Sequence, residues 1–147
     1  MTVPSSSGSR CFIDSNSWLY AFIVEQDRTK AAQAAALIQG EQEIVISTQI
    51  INEVSINLIR KAQFTEENVR KLIVTFYHRY QVVEIGQAVL LQASNLRQAH
   101  RLAFWDSLIV ASALAAGASR IYSEDLHDGM VFASQATVVN PSNSPHP

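Results

Sequence analysis

Cys11-Phe12-Ile13-Asp14-Ser15-Asn16 places a carboxylate directly behind a short apolar run of strand length. Near the other end of the chain, Ile121-Tyr122-Ser123-Glu124-Asp125 closes a second apolar run in the same way. Two more acids sit inside apolar helical patterns. Glu53 lies in Thr48-Gln49-Ile50-Ile51-Asn52-Glu53-Val54, and Asp106 lies in Phe104-Trp105-Asp106-Ser107-Leu108-Ile109-Val110-Ala111. Carboxylates rarely lie against apolar segments without a partner. No Lys or Arg adjoins any of the four in sequence, so a bound cation is the economical explanation.

The segments around these runs alternate strand and helix. Cys11–Asp14, Glu43–Ile46, Gln81–Ile85, Arg120–Ser123 and Thr137–Val139 read as strands. Ser17–Val24 and the Ala-rich Arg28–Gln39, stopped by Gly40, read as helices. Ser47 or Thr48 caps a helix that carries Glu53 and runs to about Ala62. Thr65 caps the next, with Asn68 in place of the usual Glu or Gln of a capping box, and that helix reaches about Tyr80. Gln87–Arg101 and Trp105–Ala116, closed by Gly117, complete the set. Short strands alternating with helices predict an α/β fold whose sheet is mostly parallel and covered on both faces. In such sheets the functional crevice opens at the carboxyl ends of the strands. Asp14 and Asp125 fall at those ends, Glu53 one helical turn beyond a strand, and Asp106 at a helix start. All four are expected to converge on one edge.

With 147 residues and 48% hydrophobic content, the chain suits one domain with an ordinary core, at residues 11–141. Met1–Arg10 and residues 142–147 read as flexible tails, rich in Ser, Pro and Gly or Asn. The single Cys11 excludes an internal disulfide and any cysteine metal cluster, and it suits a reducing compartment. Four scattered His argue against zinc. No run spans a membrane; Phe12–Val24 resembles a signal segment, but Asp14 interrupts it and no cleavage site follows. The chain therefore reads as cytoplasmic. Net charge is −2, yet seven of the eleven Lys and Arg lie between Arg60 and Arg101, opposed there only by Glu66, Glu67 and Glu84. A basic flank beside an acidic pocket suits a phosphate substrate brought to a metal.

The pieces, in order, resemble those of a PIN-domain protein, and more closely a VapC-type toxin nuclease. They are Phe12-Ile13-Asp14-Ser15-Asn16, Ser47 through Glu53, Phe104 through Ala111, Ser123-Glu124-Asp125-Leu126-His127-Asp128-Gly129 and Val138-Val139-Asn140-Pro141. The resemblance implies a three-layer α/β fold and a Mg²⁺ or Mn²⁺ site. Asp14, Glu53, Asp106 and Asp125 would be its acids, Asn16 and Ser123 supporting polar groups, and Asp128 an extra acid. It implies RNA as substrate, a cognate antitoxin as partner, and a homodimer. Ser142 stands where the family usually carries an aromatic after Asn-Pro, a departure that bears on chain-end contacts more than on chemistry. Arg97 and Arg101 are expected to touch substrate phosphates.

Taken singly, each acid has an ordinary reading. Asp14 is a turn or helix cap, Glu53 an exposed position on an amphipathic helix, Asp106 a dipole-favoured helix start, and Asp125 turn chemistry. Four such coincidences at one sheet edge are the weaker reading. Glu124 and His127 read as exposed loop residues, Trp18, Phe104 and Trp105 as core, and Cys11 as a small core hydrophobe. A haloacid-dehalogenase phosphotransferase needs an acid two residues after Asp14, where Asn16 stands, and a late Lys, while the last Lys is Lys71. A response-regulator receiver needs paired acids after its first strand and the same late Lys. A non-enzymatic RNA-binding or interaction module on the same fold is the alternative to a nuclease, and loss of one of the four acids would mark it.

Overall fold

The computed structural model describes residues 10–41 and 43–142. The tail expectations for residues 1–9 and 143–147 lie outside the described residues. At their inner edges the boundaries shift: Arg10 already belongs to the first strand, and Ser142 is tied down by side-chain hydrogen bonds.

Strands β1 (Arg10–Ile13), β2 (Glu43–Ser47), β3 (Gln81–Val83), β4 (Arg120–Tyr122), β5 (Val131–Phe132) and β6 (Ala136–Val139) form one sheet in the order β3-β2-β1-β4-β6-β5. Every neighbouring pair is parallel except β5 with β6. Cys11, Phe12 and Ile13 are all buried, as are Ile44 through Ser47. Successive strand residues face opposite sides, so both faces of the central strands are covered. The helices are α1 (Ser15–Phe22), α2 (Arg28–Gly40), α3 (Thr48–Ala62), α4 (Glu66–Arg79), α5 (Gln87–His100) and α6 (Phe104–Ala115), with a 3₁₀ turn at Val24–Gln26. This is the α/β architecture that the alternation predicts.

Local chemistry sets the helix starts. Ser47 caps α3 through Ile50 N, and Thr65 with Asn68 closes a reciprocal capping box on α4. Trp18 locks α1 down: its Nε1 donates to Ile13 O at 3.1 Å, and its ring meets Phe76 edge-on at 5.1 Å. Cys11 is fully buried, and burial pushes its thiol up to about 12, so it behaves as the small hydrophobe expected.

Three elements depart from the sequence reading by more than one residue. The first helix begins at Ser15, two residues before Ser17, because the Asp14 side chain accepts from Ser15 N. The third strand stops at Val83 rather than Ile85, since its partner β2 ends at Ser47, opposite Val83. Strand β5 was not expected. Its three-residue connection to β6 puts Ala133 and Ser134 at φ 54° and 52°. That geometry normally announces itself with Asn-Gly or Asp-Gly.

Candidate functional site

The chain runs β1, β2, β3 outward on one side of β1, then returns to lay β4 on the other side. The crevice between β1 and β4 is thus the topological switch of the sheet, where α/β folds open to ligands. Asp14 follows β1 and Ser123 follows β4 at this point. Asp14 N donates to Tyr122 O at 3.0 Å, which extends the pairing of the two strands by one bond.

Asp14, Glu53, Asp106 and Asp125 all line one open cavity of about 310 Å³, together with Asn16, Asn57, Lys61 and Trp105. Four segments distant in sequence supply these acids: the β1 end, α3, the α6 start and the turn after β4. Asp14 is 2% exposed. Its Oδ1 accepts from Ser15 N at 2.7 Å, capping α1, and its Oδ2 accepts from Ser123 Oγ at 2.8 Å. Ser123 Oγ in turn accepts from Asp125 N at 3.1 Å. The cap role and the cavity role of Asp14 are therefore combined in one side chain.

The electrostatics match crowded acids. Burial pushes Asp14 up to about 6 against the pull of its Ser123 and Ser15 hydrogen bonds, and the charges of Glu53 and Asp125 push the same way. Asp106 is raised too, by burial first and then by Asp125. Glu53 is reached by Gln49 Nε2 at 3.4 Å.

The donors facing the cavity are carboxylate, amide and hydroxyl oxygens, which select hard cations. Among the described residues, no three carboxylate, imidazole or thiol groups stand close enough to share one ion directly as they are placed. The oxygen donors would suit a hard cation that takes one or two carboxylates and keeps several waters. That is the usual habit of Mg²⁺.

Several expected site residues do other things. Asp128 does not line the cavity; its Oδ1 accepts from Asn140 N at 2.8 Å and fastens the chain end. Arg97 is turned toward α6: its Nη1 donates to Ser107 Oγ at 2.7 Å, and its guanidinium lies 4.3 Å from the Phe104 ring centroid. Neither Arg97 nor Arg101 lines the cavity. Phe104 and Trp105, expected in the core, are 54% and 62% exposed. Glu124, expected to be an exposed loop residue, has a side chain only 17% exposed and pairs with Lys30 at 3.4 Å. Burial would raise its pKa, but hydrogen bonds from Ser142 and Tyr20 and the Lys30 charge hold it below the usual carboxylate range.

Sequence reasoning missed Asn57, and it placed Lys61 only within the basic segment from Arg60 to Arg101. With Gln49 and Glu53 they form a ladder spaced by four residues, Gln49-Glu53-Asn57-Lys61, which places them on one face of α3. Asn57 Nδ2 donates to Glu53 O at 2.8 Å. A polar stripe repeating every four residues along α3 was the available signal. Lys61 is exposed and has no ion pair among the described residues.

Two apolar grooves open on the surface, one of them beside the acid cavity. One, about 500 Å³, lies along α1, α2 and α4, lined by Phe22, Ile38, Phe64, Leu72 and Phe76. The other, about 1010 Å³, runs along α3 beside the acid cavity, sharing Glu53 and Trp105 with it.

The family model described as PIN domain matches residues 11–127. Three solved structures are similar. A toxin–antitoxin complex from Klebsiella pneumoniae is 17% identical with a TM-score of 0.66, over 89% of this chain and 97% of that one. VapC20 of Mycobacterium tuberculosis, a sarcin–ricin loop cleaving toxin, is 17% identical with a TM-score of 0.63, over 78% and 89%. VapBC2 of Rickettsia felis, bound to a DNA fragment from its promoter, is 18% identical with a TM-score of 0.56, over 79% and 87%. At these identities the likeness is one of fold. No curated protein sequence gives a significant match.

Proposed function

Because the chain belongs to the PIN domain family, we propose that it is a metal-dependent endoribonuclease, the toxin of a toxin–antitoxin pair. One observation carries the reading: four carboxylates from four separate segments line a single cavity at the switch point between β1 and β4. In this reading Asp14, Asp106 and Asp125 hold Mg²⁺ or Mn²⁺, directly or through water. When bound, the cation lowers the pKa of water and offsets the negative charge that builds on the phosphate.

The chain's own residues supply the rest. Hydrolysis joins a water oxygen to phosphorus and breaks a P–O bond to ribose, whose leaving oxygen takes a proton from solvent. Glu53, on the cavity wall, accepts the proton from that water or completes the cation's shell. Asn57 and Lys61, one and two turns beyond Glu53 on the same helix face, bind a phosphate oxygen of the substrate backbone. This replaces Arg97 as the expected grip, since Arg97 is engaged with Ser107 and Phe104. No side-chain nucleophile is required.

The partners follow from the same reading. The groove along α1, α2 and α4 suits the apolar face of an antitoxin helix, and the exposed Phe104–Trp105 corner suits a second copy of the chain. Among the described residues, no helix is long and apolar enough to cross a membrane.

The test is incubation of the purified protein with an RNA pool in Mg²⁺ or EDTA, with end-mapping of any cuts. Cleavage in Mg²⁺ that EDTA and Asp14→Ala each abolish is the expected result. Specific RNA binding with no cleavage under any metal would favour the non-enzymatic module.

A further inference from the structure

The Asp125 carboxylate lines the acid cavity, yet no hydrogen bond among the described residues reaches it. Its placement is inherited from the turn that carries it. On the cavity side that turn is held by Ser123, whose Oγ joins Asp14 Oδ2 to the Asp125 amide. On the far side it is held by Glu124, which does not line the cavity.

The far-side anchorage is extensive for one loop residue. Glu124 Oε1 accepts from Tyr20 Oη of α1 at 2.8 Å. Its Oε2 accepts from Ser142 Oγ at 2.5 Å and pairs with Lys30 Nζ of α2 at 3.4 Å. Lys30 also donates to Tyr20 Oη at 3.1 Å, so the two helix residues brace one another. Ser142 is held in place because its amide donates to Asn140 Oδ1 at 2.9 Å, and the Asn140 amide donates to Asp128 Oδ1 at 2.8 Å. A continuous chain of side-chain bonds therefore runs from two helices through Glu124 and the chain end, and back to Asp128 in the same loop.

We propose that Glu124 is a positioning residue: with Tyr20, Lys30 and Ser142 it clamps the turn after β4 and so presents Asp125 to a cation in the cavity. The inference rests on reading that cavity as a cation site. It also gives the Asn140-Pro141-Ser142 segment a task at the site, where its departure from the usual aromatic had suggested only a change at the chain end. A carboxylate aimed by its backbone alone binds a cation only as well as that backbone is fixed, because the outer partners of a ligand set its orientation.

The experiment is titration with Mn²⁺ alone, read by the electron paramagnetic resonance of free Mn²⁺. It uses the full chain as wild type, Glu124→Gln, Asp125→Asn and the double variant, with circular dichroism to verify folding. Glu124→Gln is expected to weaken Mn²⁺ binding by about 10-fold, the scale of outer-partner effects on metal affinity. In the Asp125→Asn background the same change is expected to alter affinity by less than about two-fold, because the clamp acts through Asp125. Should Glu124→Gln fail to fold, Ser142→Ala removes one bond of the clamp, and Tyr20→Phe removes the two made by Tyr20 Oη. Each is expected to weaken Mn²⁺ binding a few-fold in the same non-additive way. An unchanged affinity in the single variants, or an equal loss in both backgrounds, would overturn the proposal while leaving the cation site standing. A wild-type protein that binds no Mn²⁺ would overturn the cation site and this inference together.

Discussion

The two walls of the acid cavity are built differently. The strand wall carries Asp14, Ser123 and the Asp125 turn, and its groups are hydrogen-bonded to one another and to the backbone at 2.7–3.1 Å. The helix wall carries Glu53 on α3 and Asp106 at the start of α6. Gln49 approaches Glu53 at a loose 3.4 Å, and no hydrogen bond among the described residues reaches the Asp106 carboxylate. The strand wall is fixed before any ligand arrives. The helix wall is placed by its helices, and its carboxylates carry fewer hydrogen bonds of their own. Fold stability and site chemistry are therefore merged in the first and separable in the second.

The largest expected effect tests that separation through activity. Asp14→Ala and Asp106→Asn should each lower RNA cleavage by on the order of 10³-fold, as loss of several kcal/mol of charge stabilisation implies. Their thermal stabilities should differ. Asp106→Asn should leave the metal-free protein as stable or more so, because it removes a carboxylate raised by burial and by Asp125. A large stability loss in Asp106→Asn would erase the distinction between the walls.

Next in size is the pH dependence of the strand wall. Asp14 rises from 3.8 to about 6 on folding, so the folded state holds its proton more tightly than the unfolded chain. That contribution is fully present below pH 3.8 and is lost as pH rises through about 6. Without metal, ionised Asp14 then costs the fold up to about 3 kcal/mol. Asp14→Asn retains a cap and should raise the melting temperature in chelator at pH 8, with little change near pH 4. Melts at both values, with and without Mg²⁺, measure this. No pH dependence of the gain would mean that Asp14 is not the strained acid.

Ser123→Ala should cost about 1–3 kcal/mol of stability, since Asp14 Oδ2 loses its donor and two amides their acceptor. Denaturant unfolding reads it. A cost near zero would show that the strand wall is less rigid than its hydrogen bonds suggest. The smallest effect belongs to the helix wall: Lys61→Ala should weaken RNA binding by about 1 kcal/mol and lower the salt slope by about one, regardless of sequence. Arg97→Ala should instead act on stability, through Ser107 and Phe104.

The sequence disclosed the sheet and the acids because both have local signatures. Apolar runs ending on Asp14 and Asp125 mark strand ends, and Ser47 and Thr65 with Asn68 mark helix starts through bonds between near neighbours. What stayed hidden depends on side-chain direction or on distant partners. The β5 hairpin turns on Ala133 and Ser134 at positive φ, without the glycine that would flag it. Arg97 was legible as a cation but not as one committed to Ser107. Glu124 looked like a loop residue because Tyr20 and Lys30, its partners, lie about a hundred residues away in sequence. Phe104 and Trp105 read as core by type, whereas the α6 start leaves both exposed beside the cavity.

The most direct measurement is a Mn²⁺-soaked crystal structure of the wild-type chain with anomalous difference maps. A peak inside the cavity, bonded to at least one of Asp14, Asp106 and Asp125 with water bridging to the others, is the expected result. No peak there at saturating Mn²⁺, or a peak elsewhere in a protein that cuts RNA, would contradict the four-acid site.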